Sequence, residues 1–379
     1  MCAGGSVDLV TGFSARDHAH MAEALRLARR GRNGVTPNPA VGCVIARDEA
    51  VVGRGWHQRA GGPHAEVFAL REAGGAAAGA TAYVTMEPCS ITRRTPPCTD
   101  ALIEAGVRRV VYAMRDPNPA VDGRGGNAMR AAGLQVEEGL MADEAARLNK
   151  GFALRMRRGR PFVTLKLGTS LDGATAMASG ESQWITGPDA RRDVQRLRAR
   201  SCAILTGVGT VLADDPSLTV RDPSLGEAPR QPLRVVLDSQ LRTPTTARML
   251  SAPGETLIIG RRPCEDAAAL AAAGARYQPL AGDMQDRVAL DRVLRELGNA
   301  EINELLVEAG PTLAGALIDA HLVDRVVVYQ APVFLGSETR GLADTPRWQR
   351  LNDGLRLQLE DVRRIGNDLR ITARPGEIA

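Results

Sequence analysis

His64-Ala65-Glu66, Pro88-Cys89 and Cys98 are the residues whose types and order could do chemistry together. One imidazole and two thiolates can fill three positions of a zinc ion and leave the fourth open for water. A carboxylate two residues from the imidazole can carry protons to and from that water without ligating the metal. The chemistry this allows is hydrolytic. Removal of an amino group from a heteroaromatic ring is the reaction that pairs such a donor set with a non-ligating Glu. A buried His with two buried thiols is the plainer reading, and a lone His-x-Glu would favour it. The Pro-Cys pair and a second Cys in the right order reverse those odds. No fourth Cys or His lies nearby, so a closed structural zinc fits less well. Two residues commonly separate the cysteines; here eight do.

A second group of residues lies downstream. Lys166-Leu167-Gly168-Thr169 follows a strand-like run, and Gly180-Glu181-Ser182-Gln183-Trp184 comes soon after. Leu205-Thr206-Gly207-Val208-Gly209-Thr210 runs on to Asp214, and Glu308-Ala309-Gly310-Pro311-Thr312 opens a helix. Glycine lets the backbone approach a phosphate, and the start of a helix offers free N–H groups. Singly these are weak signals: residues 207–212 lack a full dinucleotide fingerprint, and tight-turn glycines are the ordinary reading. Arg198 shares a helix with Arg191, Arg192 and Arg196, so a solvated face is its plain reading.

The elements that must position these residues alternate. Residues 16–32 have helical spacing (Met21, Leu25, Ala28), and 41–45 with 51–56 read as a hairpin. A helix over 65–73 starts at His64; strands at 82–86 and 107–113 flank a helix over 98–105. A second α/β series begins at Phe162: strands at 162–167, 203–206, 235–237, 256–259, 304–307 and 325–329, helices at 189–199 and 312–320, and an antiparallel pair over 355–373. Alternation of this kind implies layered α/β domains. The Ala-rich stretches at 76–80 and 267–275 read as loop and helix surface. The chain has 379 residues, more than one core usually spans. Two domains are expected, 1–150 and 161–379, with the basic, Pro-terminated segment 151–160 as linker.

Composition narrows the partners. Aromatics are only 3%, too few for the stacking platforms of single-strand nucleic-acid binders. Net charge is +4, with both signs spread along the chain, which suits a phosphorylated small molecule. No apolar run is long enough to span a bilayer, and no secretory signal is evident, so a cytoplasmic location is expected. Without such a signal, ligand or buried thiols are expected rather than disulfides; Cys43, in an apolar strand, reads as a core thiol.

The motifs in order are Thr36-Pro37-Asn38-Pro39, Gly61-Gly62-Pro63-His64-Ala65-Glu66, Glu87-Pro88-Cys89-Ser90, Arg94-Thr95-Pro96-Pro97-Cys98 and Asp116-Pro117-Asn118-Pro119. They closely resemble the deaminase half of the bifunctional riboflavin biosynthesis family, a diaminohydroxyphosphoribosylaminopyrimidine deaminase fused to a 5-amino-6-(5-phosphoribosylamino)uracil reductase. The resemblance implies zinc on His64, Cys89 and Cys98, with Glu66 as proton shuttle. It implies that Asn38, His57 and Asn118 contact the pyrimidine or ribose and that Arg94 meets the 5-phosphate. Ile91 and Arg93 stand where the family has His and Gly. From its residues alone, His57 reads about equally as a structural histidine.

The downstream turns resemble the reductase half of the same family. The implied fold is a cytidine-deaminase-like α/β/α domain followed by a dihydrofolate-reductase-like α/β domain, and the implied cofactor is NADPH. Gly168, Trp184, Thr210, Asp214, Ser239 and the turn Gly310, Pro311, Thr312, Leu313, Ala314, Gly315, Ala316 would line the NADPH site. Ser182, Arg198, Leu218, Arg221 and Glu308 would hold substrate, with Arg198 and Arg221 suited to the 5-phosphate. Hydride addition at the opened ribose carbon needs a proton donor; Lys166, Asp214 and Glu308 are the candidates. A homodimer is the family expectation. The competing readings are a nucleic-acid base deaminase, which the low aromatic content disfavours, and a zinc protein whose catalytic site has decayed.

Overall fold

The computed structural model describes residues 12–91, 96–281, 287–345 and 348–376. The chain divides into two compact units at Arg157/Arg158. The N-terminal unit runs α1 (Ala15–Gly31), β1 (Gly42–Arg47), β2 (Ala50–Trp56), α2 (Ala65–Ala73), β3 (Thr81–Val84), α3 (Cys98–Glu104), β4 (Arg109–Tyr112), α4 (Arg124–Ala131), β5 (Gln135–Glu138), α5 (Ala142–Leu148) and α6 (Lys150–Arg158). Its five-stranded sheet has the order β2-β1-β3-β4-β5. β1 is antiparallel to β2 and β3, and the rest is parallel. α1 starts in a capping box between Ser14 and Asp17. Alanine does much of the packing: Ala65, Ala69 and Ala73 form the buried face of α2. Ala77 and Ala80, expected on a surface loop, are buried in the same core. The segment 151–160, expected as a linker, is mostly helix α6.

The C-terminal unit runs β6 (Phe162–Thr169), β7 (Ala174–Met177), α7 (Pro188–Arg200), β8 (Ala203–Gly207), α8 (Val208–Asp214), β9 (Leu233–Leu237), α9 (Arg248–Ser251), β10 (Thr256–Gly260), α10 (Ala268–Ala272), β11 (Ala275–Pro279), α11 (Leu290–Asn299), β12 (Glu304–Glu308), α12 (Pro311–Asp319), β13 (Arg325–Gln330), β14 (Thr339–Gly341), β15 (Leu357–Ile365) and β16 (Asp368–Pro375). Nine strands form one sheet in the order β11-β10-β9-β8-β12-β6-β13-β16-β15. It is parallel from β11 to β13, and β16 and β15 add an antiparallel edge. Its central strands are nearly continuous apolar runs, as a sheet covered on both faces requires. The turns after β6, β8, β9 and β12 gather at the C-terminal ends of these strands, the usual place for a ligand crevice in such a sheet. Among the described residues no helix is long and apolar enough to cross a membrane.

Candidate active sites

In the N-terminal unit, His64 is the N-cap residue of α2 and Glu66 lies in its first turn. β2 must pass close beneath that turn. A Cβ on Gly55 would lie 2.0 Å from the Ala65 carbonyl oxygen, so the approach requires glycine. Cys89 follows Pro88 in the turn after β3, and Cys98 opens α3. These turns bring three ligand atoms within 4.8 Å of one another. His64 Nδ1 is 3.2 Å from Cys98 Sγ and 3.5 Å from Cys89 Sγ. The Cys98 main-chain N–H donates to Cys89 Sγ at 3.4 Å.

Glu66 is 3% exposed, and its Oε2 has no hydrogen-bond partner among the described residues. Such an orphan costs about 1–3 kcal/mol unless a ligand or water satisfies it. Burial pushes the Glu66 carboxyl above its ordinary range, partly opposed by His64. Its hydrogen bond to Cys89 raises the His64 pKa. Pairing with Cys98 pulls the Cys89 thiol below its ordinary range, and the same pairing, with burial, pushes Cys98 up. One nitrogen and two sulfurs converging beside a half-unpartnered carboxylate suit a catalytic zinc with a water neighbour.

Two further residues flank the cluster. His57 is buried. Its Nδ1 lies 2.9 Å from the Pro63 carbonyl oxygen and its Nε2 3.0 Å from Asn38 Nδ2. Burial lowers its pKa, so the neutral ring donates from Nδ1 and accepts from Asn38. His57 thus orients Asn38. The backbone two residues past Asn38 is held as well: buried Asn149 accepts from the Ala40 N–H at 2.8 Å and donates to the Ala40 carbonyl at 3.0 Å. Nothing local in the sequence marks Asn149. Asn118 sits in the loop after β4, where its Oδ1 accepts from the Ala120 N–H. Arg93 and Arg94 lie outside the described residues.

In the C-terminal unit a cleft of about 1640 Å³ opens at the strand ends. A single small-molecule pocket is roughly 300–1,000 Å³, so two ligands fit. Lys166, Gly168, Ser182, Trp184, Thr210, Asp214, Leu218, Arg221, Ser239 and the turn from Gly310 line it. Ala314 does not face it; that side chain packs in the core. Thr210 Oγ1 accepts from the Gly310 N–H at 3.2 Å, tying α8 to the turn before α12. Ser182 Oγ donates to Asp214 at 3.1 Å. Trp184 is largely exposed with the Arg191 guanidinium 4.6 Å from its ring centre.

Arg198 departs from its sequence reading. It is 8% exposed, and its Nε and one terminal nitrogen hold Glu308 at 2.6 and 3.0 Å. Its other terminal nitrogen donates to the Thr219 carbonyl at 3.0 Å. A solvated face does not describe it: it lines the cleft with its guanidinium committed to Glu308 and Thr219. Register puts Lys166 beside Glu308, with Nζ 3.8 Å from Oε2. Burial disfavours the Glu308 charge, but Arg198 and Lys166 overcome this and hold the carboxyl at about 2. The loop carrying Leu218 and Arg221 is fastened by two glutamines missed in the sequence. Gln195 accepts from the Arg221 N–H at 2.9 Å, and Gln231 bonds both the N–H and carbonyl of Val220 at 2.8 Å.

Two family models match the chain: the cytidine and deoxycytidylate deaminase zinc-binding region over residues 14–114, and the RibD C-terminal domain over residues 161–371. Riboflavin biosynthesis protein RibD of Escherichia coli is 53% identical over 93% of this chain and 98% of its own length. The structure of Acinetobacter baumannii RibD superposes with a TM-score of 0.89 at 44% identity, covering 96% of this chain and 99% of that one. The Thermotoga maritima diaminohydroxyphosphoribosylaminopyrimidine deaminase/5-amino-6-(5-phosphoribosylamino)uracil reductase gives 0.83 at 30% identity over 95% and 99%. With both halves matched in order along nearly its whole length, the chain belongs to the RibD family of riboflavin biosynthesis proteins, a deaminase unit followed by a reductase unit.

Proposed function

We propose that the chain catalyses two successive steps of riboflavin biosynthesis. The N-terminal unit hydrolyses the exocyclic amine from a phosphoribosylated diaminopyrimidinone, releasing ammonia. The C-terminal unit reduces the ribosyl group of the resulting 5-amino-6-(5-phosphoribosylamino)uracil to a ribityl chain, with NADPH as donor. The observation that carries the first step is the buried, half-unpartnered Glu66 carboxyl beside the convergent His64, Cys89 and Cys98 atoms.

His64, Cys89 and Cys98 would hold zinc, which supplies Lewis acidity that activates water at neutral pH. Glu66, with its carboxyl raised by burial, takes the water proton and passes it to the departing amine. Asn38, bonded to His57 on a loop that Asn149 pins at Ala40, and Asn118 position the ring and ribose. Arg94 is assigned to the phosphate.

In the cleft of the C-terminal unit, the Gly310 turn, Thr210, Asp214, Ser239 and Trp184 would hold NADPH, which supplies the hydride. A positive helix N-terminus at the Gly310 turn and open space above Gly209 suit a dinucleotide. Glu308, held as an anion by Arg198, is too acidic to deliver a proton near neutral pH. Of the two remaining candidates, Asp214 accepts from Ser182 on the side assigned to NADPH, so we assign the proton donor to Lys166, whose ammonium Glu308 orients. Arg221 remains for the substrate phosphate.

The test is a coupled assay with the diaminopyrimidinone substrate, following ammonia and NADPH oxidation. Ammonia without NADPH, and oxidation only after deamination, is the expected result. NADPH oxidation without prior ammonia release would overturn the order.

A further inference from the structure

We infer that Glu87 is a positioning residue for deamination, a single buried carboxylate that fastens the metal-ligand turn Pro88–Cys89 to the loop and helix facing it. The inference rests on the deaminase reading given above. Glu87 is 3% exposed. Its Oε2 accepts from the N–H groups of Asp116 at 3.2 Å and Gly123 at 2.9 Å, and its Oε1 from that of Gly126 at 3.1 Å. Among the described residues no cation pairs with it, so its charge is met by these amide dipoles.

The need for such an anchor follows from α4. Its N-cap residue is Gly123, at φ 83° and without a side chain to cap the first turn. Gly126 is the third helical residue, the one whose N–H an Asp or Ser cap would normally take. Glu87 supplies that cap from a distant part of the chain, with its charge at the positive end of the helix. The same turn is pressed onto the ligand turn: a Cβ on Gly125 would lie 2.1 Å from the Pro88 carbonyl oxygen. The loop so held contains Asn118, whose N–H donates to Asp116 Oδ1 at 2.9 Å. One side chain therefore sets the position of Cys89, two residues on, and of the Asp116–Asn118 turn.

Glutamine is a poor replacement although it has the same shape. It turns one acceptor oxygen into an NH₂ group facing N–H donors, so at least one hydrogen bond becomes a donor–donor contact. Aspartate keeps the charge on a shorter stem. The experiment uses the full chain, with zinc affinity read by competition with a chromophoric chelator and the two activities assayed separately. In E87Q zinc affinity should fall roughly 10–100-fold, the usual cost of losing support behind a ligand. At saturating zinc its KM for deamination should rise more than its kcat falls, and reduction should be unchanged. E87D should recover part of the zinc affinity. Wild-type zinc affinity and KM in E87Q overturn the inference. Amide hydrogen exchange in the wild-type protein decides independently of whether E87Q folds: Gly123 and Gly126 should exchange slowly, and free exchange there also overturns it. Wild-type protein that neither binds zinc nor releases ammonia would instead overturn the deaminase reading.

Discussion

Each unit buries a glutamate at the centre of its site, and the surroundings drive the two carboxyls in opposite directions. Burial outweighs the opposing pull of His64 and of the hydrogen bond with Cys98 at Glu66, so the proton is held more tightly. Glu308 is also buried, but a two-pronged Arg198 and nearby Lys166 hold it at about 2. The first is poised to pick up and release a proton, and the second is a fixed anion. Burial alone does not assign a role. The cations within hydrogen-bond reach do, and a pair of titratable groups pushed apart in this way marks the division of labour.

Removing the metal tests this contrast most severely. Dialysis against a chelator should abolish ammonia release and leave reduction of the deaminated substrate intact, with zinc restoring the first activity. Loss of both would show that the units do not act separately. Next comes Glu66→Gln, for which deamination kcat should fall about 10²–10⁴-fold, the range of a lost general acid–base group, at unchanged zinc content. A fall of less than about tenfold would mean that another group moves the proton. Lys166→Met is the counterpart in the other unit. Reduction kcat should fall by a similar 10²–10⁴-fold while the NADPH dissociation constant, read by fluorescence, stays put. Weakened NADPH binding with normal kcat would make Lys166 a cofactor ligand instead.

Glu308→Gln probes stability as well as activity. It leaves Arg198 buried without its partner, at a cost of about 3–5 kcal/mol. The pH dependence follows from the depressed carboxyl. Glu308 moves from an ordinary 4.5 to about 2 on folding. Its stabilisation, about 3 kcal/mol, is therefore complete above the unfolded value and lost as pH falls between these limits. Urea unfolding of wild type should weaken with acid over that window more steeply than that of Glu308→Gln. Equal slopes would mean that the Arg198 contact is not what lowers the carboxyl.

The sites were unequally legible in the sequence. His64, Glu66, Cys89 and Cys98 announce themselves because few other jobs need those residue types in that order. α2 was readable as a short helix starting at His64, and β1–β2 from two apolar runs around a short turn. Strands β5, β7 and β14 have four, four and three residues, too short for alternation to show. Arg198 looked like one more arginine on a basic helix, because only the packing of α7 against β12 decides which of them is buried. Glu87 was visible as a motif letter, but its partners lie 29 to 39 residues away. Asn149 grips a residue 109 positions distant. Supporting contacts of this kind belong to the tertiary fold and leave no local trace.

The mildest test compares two amide clamps, one in each unit. Asn149 bonds both the N–H and the carbonyl of Ala40, two residues past Asn38, and Gln231 does the same for Val220 beside Arg221. Each side chain stands in for a missing strand partner, satisfying a loop that would otherwise leave polar groups unpaired. Asn149→Ala and Gln231→Ala should each cost about 1–3 kcal/mol, with the larger share at Asn149, which is the more buried. Kinetically they should part: Asn149→Ala raises KM only for deamination and Gln231→Ala only for reduction, by several-fold, with kcat little changed. The reasoning is that each clamp sets where a binding residue waits and touches no group that moves a proton. A drop in kcat of a hundredfold from either change would mean that the loop reaches the reacting atoms, and the separation between holding and proton transfer drawn here would not stand.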